Sequence, residues 1–276
     1  MTIPKEIQEG VVKLRKQGYF FRDIAKKLNL SVGSSHKYGS KIKLSPKTKE
    51  ILQDKEKKSR RKPIILTKRM TIEKVKIIAH LLFDGSVSRG IIRYTNSSID
   101  LINKLIINVK ETYGVKPDQI IEENGKFLPK YTVSYFYMEI VEDLLRYVKS
   151  FSTNSHSASI PKKVIDGSTK FKREFLRAFW EDEGCVTIDG DILGRIKSEK
   201  IRDQLVKMHH QLGIRCTPYD CKDGAFGIYI KRSKKNLVLF KNVGFEHSII
   251  TRGKNIGVKK ISLFENIYHH YLTTKI

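Results

Sequence analysis

The sequence predicts an α+β protein in three parts: a short three-helix segment, a basic linker, and a larger domain built from two copies of one helix-and-hairpin unit. Three observations carry this. Helical spacing with cap residues marks residues 5–40. Lys and Arg crowd residues 41–70. In the remainder, landmarks recur 99 residues apart, most plainly Asp84-Gly85 and Glu183-Gly184. The expected boundaries are 1–42, 43–69, 70–155 and 156–276.

The first helix is read from KEIQEGVVKLRKQGY, where Ile7, Val11, Val12 and Leu14 approach helical spacing and Gly18 ends the run. FRDIAKKLNL follows, with Ile24, Ala25 and Leu28 on one face and Asn29 suited to a left-handed stop. Ser31 is placed to cap a third helix, VGSSHKYGSKI. These three helices resemble a helix-turn-helix of the resolvase and transposase type. The small Ala25 stands where the helices cross, while Ser35 departs from the apolar residue usual in the third helix. The resemblance implies that Ser34, His36, Lys37 and Lys41 face a DNA groove or its phosphates. The next stretch, KIKLSPKTKEILQDKEKKSRRKP, reads as a basic linker, at best transiently helical near 46–57.

Lys plus Arg total 54 against 29 acids, a formal net charge of +25. A positive field of that size points to a polyanionic partner, with nucleic acid ahead of a membrane surface because no strong basic amphipathic helix is evident. The longest apolar run, IIAHLLF, is too short to span a bilayer, and the N-terminus lacks the apolar stretch of a secretion signal. An intracellular protein is expected. The cysteines, Cys185, Cys216 and Cys221, form no CxxC pair and fit a reducing compartment. With His209 and His210 they match no common zinc spacing.

The duplication is read from several landmarks. Gly114 pairs with Gly213, Asn124-Gly125 with Asp223-Gly224, and Phe127 with Phe226 at the same separation as the two acid-glycine pairs. Each half reads as a helix ending in acid-Gly (72–84; 171–183), two strands around Arg89-Gly90 or Asp189-Gly190, and an amphipathic helix (97–113; 198–212). A second hairpin (118–137; 214–232) and a closing helix (139–149; 234–242) complete it. The C-terminal VKKISLFENIYHHYL adds a helix. The order αββαββα, twice, predicts antiparallel sheets with helices on one face and the other face open.

The small Ala79 and Ala178 allow the two acid-ending helices to pack side by side, which would bring Asp84 and Glu183 together. Two carboxylates at helix C-termini repel each other and oppose the helix dipole. A divalent cation, Mg2+ for example, relieves both problems with oxygen ligands. The glycine after each acid is expected to turn the chain sharply and to leave a carbonyl free near the metal.

Position by position, IIAHLLFDG and LRAFWEDEG resemble the nine-residue motif of the LAGLIDADG homing endonucleases in their single-chain form, and IPKKVIDGSTKFKREFL resembles the lead-in to the second motif. The resemblance covers roughly 70–276 and implies a pseudo-twofold monomer whose two saddle-shaped sheets straddle double-stranded DNA. Asp84 and Glu183 would bind metal, and phosphodiester bonds would be hydrolysed across the minor groove. It also implies a basic residue near each acid. Lys231, with Arg232 behind it, is the candidate in the second half; the first half offers no clear equivalent, Lys130 being the nearest. Arg93, Arg195, Lys197 and Arg215 are further candidates for DNA contact. His80 reads as a packed residue, and Glu181 and Asp182 read as local charge on other sides of the helix. Two other functions share this fold and charge: a non-cleaving DNA-binding regulator and an RNA-splicing maturase. The helix-turn-helix argues against the second.

Overall fold

The computed structural model describes residues 3–59, 64–155 and 157–273. Two compact units divide the chain, Met1–Pro63 and Ile64–Ile276.

In the first unit, α1 (Lys5–Lys16), α2 (Phe21–Lys27) and α3 (Val32–Gly39) form the expected trio. Gly18 and Asn29 take the left-handed conformation (φ 80° and 50°), and the Ser31 hydroxyl accepts the Ser34 amide at 3.0 Å. These three residues end or begin helices as their chemistry dictates. Val11, Ile24 and Ala25 are buried between the helices. Gly39 lets α3 approach α2, since a Cβ there would lie 2.6 Å from the Phe21 ring. Ser35, the departure from an apolar pattern, is fully buried and donates its hydroxyl to the Ser31 carbonyl at 3.2 Å. That back-bond satisfies the hydroxyl where an apolar side chain would need no partner.

Within the stretch read as a linker, α4 (Pro46–Ser59) folds onto this unit. Leu52 and Thr48 are buried, Thr48 donates to the Lys16 carbonyl at 3.0 Å, and Lys55 donates to that of Gly18 at 2.9 Å. The helix therefore closes the C-terminal end of α1, setting a hydroxyl and an ammonium on carbonyls that a helix end leaves unpaired.

The second unit has the duplicated order. Its first half runs α5 (Ile72–Phe83), β1 (Gly85–Ser88), β2 (Ile91–Asn96), α6 (Ile99–Tyr113), β3 (Gln119–Glu123), β4 (Lys130–Tyr135) and α7 (Met138–Leu145). After a short α8 (Lys162–Ile165), the second half repeats it. This is α9 (Thr169–Glu183), β5 (Gly184–Val186), β6 (Ile192–Ile196), α10 (Glu199–Gln211), β7 (Thr217–Asp220), β8 (Phe226–Ile230) and α11 (Lys234–Phe240), followed by α12 (Lys260–Thr273). Each half makes a four-stranded antiparallel sheet, ordered β1-β2-β4-β3 and β5-β6-β8-β7.

Alternation along the strands puts Ile92, Tyr94, Val133 and Tyr135, and likewise Ile192, Ile196, Ile228 and Ile230, into one core with α5, α6, α9 and α10. Arg93, opposite Ser86 and Ser134, and Arg195, opposite Gly227, stand on the other faces. The turns differ in kind. Arg89-Gly90 is a two-residue turn with both φ positive (42° and 81°), the primed geometry that suits a hairpin. Asn124-Gly125 belongs instead to a longer connection between Glu123 and Lys130, where a Cβ on Gly125 would meet the Leu128 carbonyl at 2.1 Å. There, glycine is required by close approach.

Candidate functional site

Helices α5 and α9 pack directly against each other, with Ala79 and Ala178 buried and Phe83 edge-on to Phe175 and Phe179 at 5.6 and 5.3 Å. Thr71 and Ser168 start them by accepting the Lys74 and Phe171 amides. Their far ends carry Asp84 and Glu183, both half-buried, each next to the first residue of a strand.

The glycines after the acids do not act as turn residues. Gly184 has φ −91° and Gly85 is not among the positive-φ residues. Each instead lets its strand start against the last helical turn: a Cβ would lie 2.5 Å from Leu81 Cα or 2.6 Å from the Trp180 carbonyl. Nor is the Asp84 carbonyl left free, because it accepts the Thr95 amide at 3.4 Å.

Asp84 lies in the field of Glu183, and both acids lie in that of Asp182. Burial is the main cause that pushes the Asp84 carboxyl up to about 8, followed by the charges of Asp182 and Glu183, with Lys260 and the hydrogen bond from Asn96 pulling the other way. Burial and Asp182 push Glu183 up to about 7, opposed by Lys260 and Arg195. Asn96 donates to Asp84 Oδ2 at 3.0 Å, whereas Glu183 makes no side-chain hydrogen bond or ion pair among the described residues. The site thus offers carboxylate oxygens whose charge is incompletely balanced. That donor set fits a divalent cation completing its shell with water and phosphate, although no group of three or more His, Cys, Asp or Glu side chains gathers among the described residues.

The neighbouring acids have other partners. Glu181 is buried, and its carboxylate accepts the backbone amides of Glu246 and His247, the latter at 3.0 Å. Asp182 reaches across to the first half, accepting Tyr94 OH at 2.7 Å and bonding His80 Nδ1 at 2.9 Å. Burial alone would lower the His80 pKa, but the charge and hydrogen bond of Asp182 outweigh it and hold the imidazole above its ordinary value. Read from sequence these two acids are local charge; in the fold they are buried ties, because one residue of helical rotation turns each toward a different neighbouring element.

Lys260, at the start of α12, is the cation that sequence reasoning missed. It is buried, with Nζ donating to the Glu181 carbonyl at 2.7 Å and the Trp180 carbonyl at 3.4 Å, at the negative end of α9. Only its separation from the motif, 79 residues from Glu181, hid it.

Lys231 is exposed and follows Ile230. The register sets Gly184 beside Gly194 and Gly194 beside Ile228, so Lys231 stands about 10 Å along the strand from the point level with Gly184, and further still from Glu183. Arg232 is held elsewhere, its guanidinium on the Asp189 carbonyl at 2.6 Å and near the Tyr271 ring.

Arg93, Arg195, Lys197 and Arg215 are exposed. Arg195 pairs with Asp223 at 2.6 Å and also acts on Glu183. In the first unit, His36, Lys37 and Lys41 are exposed, His36 against Phe21 and Lys37 over Tyr38, while the Ser34 hydroxyl is tied to that of Ser31 at 2.9 Å. No helix among the described residues is long and apolar enough to cross a membrane.

No protein-family model matches the sequence, and no curated protein matches it. Solved structures do. Full-length DUF199/WhiA from Thermatoga maritima is similar over 75% of this chain, at 15% identity and a TM-score of 0.50, and the chain spans 63% of that protein's length. The N-terminal LAGLIDADG domain of DUF199/WhiA is similar over 66% of this chain and 86% of its own, at 14% identity and a TM-score of 0.46. Homing endonuclease I-DmoI in complex with DNA and Mn is similar over 63% of this chain and 97% of its own, at 13% identity and a TM-score of 0.46. Identities this low speak to fold, and the fold is LAGLIDADG-like.

Proposed function

We propose that this chain binds double-stranded DNA on the open faces of its two sheets and hydrolyses phosphodiester bonds with divalent metal held by Asp84 and Glu183. The observation that carries the reading is the acid pair itself. Burial and the neighbouring charge of Asp182, joined at Asp84 by that of Glu183, push the two carboxyls up to about 8 and about 7 at the ends of α5 and α9. Such an arrangement costs stability and has no structural return unless a cation or phosphate partner completes it. The net charge of +25 supports a polyanionic partner. I-DmoI has been seen with DNA and Mn, which favours the same chemistry by analogy of fold.

In this reading Arg93 and Arg195 contact the duplex from the sheet faces, with Lys197, Arg215, Lys231 and Arg232 at their margins. Asp84 and Glu183 supply oxygen ligands, and Asn96 orients Asp84. Lys260 offsets the negative charge of the α9 end and the acid pair. Bound metal would activate water and stabilise the leaving oxygen. The helices of residues 1–42 add a second DNA contact through Ser34, His36, Lys37 and Lys41. Because both acids come from one chain, a monomer suffices.

A second reading, a non-cleaving DNA-binding regulator, draws on one observation: Lys260, the cation that opposes the charge at both acids, gives its hydrogen bonds to helix carbonyls, and among the described residues no lysine from the strands stands level with either acid. Incubation with a genomic fragment library and Mg2+, beside an Asp84→Asn, Glu183→Gln double variant, separates the two. Magnesium-dependent cuts that vanish in the variant support hydrolysis. Specific binding without cuts, equal in both proteins, leaves the regulator.

A further inference from the structure

At the opposite end of α5 from Asp84, about 18 Å along the helix axis, lies a cavity of about 360 Å3 lined by Lys68, Arg146, Tyr147, Pro161, Lys162 and Lys163. Four of the six lining residues are cations and none is an acid. Lys68 precedes α5, Arg146 and Tyr147 follow α7, and Lys162 and Lys163 open α8, so three separate elements bring these charges together. Tyr147 fixes one wall by donating its hydroxyl to the Lys68 carbonyl at 3.0 Å, and the Lys163 ammonium sits 5.5 Å from its ring centre.

No carboxylate lies within ion-pair distance of Lys68, Lys162 or Lys163 among the described residues. Arg146 reaches only Asp143 Oδ1, at 3.9 Å, and the other oxygen of that buried acid is taken by Lys74 at 2.7 Å and Tyr113 at 2.8 Å. Four like charges converging on a concave space walled on one side by Tyr147 repel one another. Solvated lysines elsewhere on this surface are under no such constraint.

We propose that this cavity is a phosphate-binding site, recognising a phosphate or pyrophosphate group carried either by a nucleic-acid backbone or by a free nucleotide. The planar Arg146 guanidinium suits two oxygens of one phosphate, and the lysines act as point charges around the rest. The site is remote from the acid pair and does not depend on Asp84 or Glu183 being catalytic.

The test uses the full chain, a pocket variant (Arg146→Gln, Lys162→Gln, Lys163→Gln) and a charge-matched control (Lys110→Gln, Lys116→Gln, Lys207→Gln) on exposed positions of the same unit. Titration calorimetry with inorganic pyrophosphate, and the salt dependence of binding to a short duplex, are measured for all three. If the ligand is a free nucleotide, pyrophosphate affinity falls about tenfold or more in the pocket variant alone. If it is a backbone phosphate, the pocket variant lowers the duplex salt slope by about one to two more than the control does. Either result supports the site. Equal losses in the pocket variant and the control, by both measurements, would overturn it, since the cations would then act only through the general field of the protein.

Discussion

In the first half of the duplicated unit a large residue stands on the strand and smaller ones on the helix; in the second half the sizes are exchanged. The register aligns Tyr94, opposite Gly85, with Gly194, opposite Gly184. Tyr94 is fully buried and turns its hydroxyl to Asp182, beside His80. Gly194 has no side chain, and the space is filled from α9 by Phe179 and Trp180, whose rings would lie 2.6 and 2.9 Å from any added Cβ. Trp180 in turn donates to His209 Nε2 at 2.9 Å. That bond leaves His209 Nδ1 to carry the proton donated to the Leu205 carbonyl, and burial lowers this histidine to about 4. One half is held at its helix end by a polar network and the other by an aromatic cluster. A duplicated backbone therefore does not require duplicated packing, only that each volume be filled once and each buried polar atom be paired.

The comparison breaks most severely at Asp182, which serves the first half from the second. Asp182→Ala strands His80 and Tyr94 in the core, and a loss of about 3–5 kcal/mol is expected. The sole tryptophan, Trp180, lies in this unit, so denaturant unfolding followed by its fluorescence reads the unit without interference from the N-terminal helices. His80 has a raised folded pKa, so its contribution is present below its ordinary value near 6.5 and fades as pH rises through the higher folded value. The variant should lack that decline.

The acid pair supplies a gradient of its own. For a carboxyl raised on folding, the folded state holds its proton longer, so there is no penalty below the ordinary value near 4 and a growing one up to about 7 for Glu183 and about 8 for Asp84. Asp84→Asn with Glu183→Gln should therefore gain about 2–4 kcal/mol at pH 8, after allowance for solvent screening of half-buried groups, and almost nothing at pH 4. Mg2+ should raise the melting temperature of the natural chain at pH 8 and leave the double variant unmoved. Equal shifts in both proteins would remove the metal from this site.

The smallest expected effect tests the exchange of sizes. Gly194→Ala forces a methyl group against Phe179 and Trp180 and should cost about 1–3 kcal/mol. Adding Phe179→Leu should return part of that cost, giving a coupling of about 0.5–2 kcal/mol in a double-mutant cycle. Simple additivity would show that the two rings are not what excludes a side chain there.

Much of this was legible beforehand because it is local or periodic. Gly18, Asn29 and Ser31 act within a few residues of themselves, and the order of helices and hairpins follows from alternation and helical spacing. The common offset of Asp84 and Glu183 exposed the repeat. Glu181 and Asp182 were misread because helical angle says where a side chain points but not what stands there. The stretch read as at best transiently helical near 46–57 packs as a stable helix, which its charge hid: a sequence dense in lysine looks solvated until Leu52 and Thr48 find a surface to cover.

The repeat, the acids at the helix ends and the strongly positive field are written in spacing or composition and can be read without a fold. Which charges meet is settled by packing. His80 and Asp182 are 102 residues apart, and Lys260 and Glu181 are 79 apart. The cations of the phosphate pocket likewise come from three separate elements. Long-range pairing of this kind depends on how helices and sheets pack, a global outcome of filling one core that no local pattern encodes.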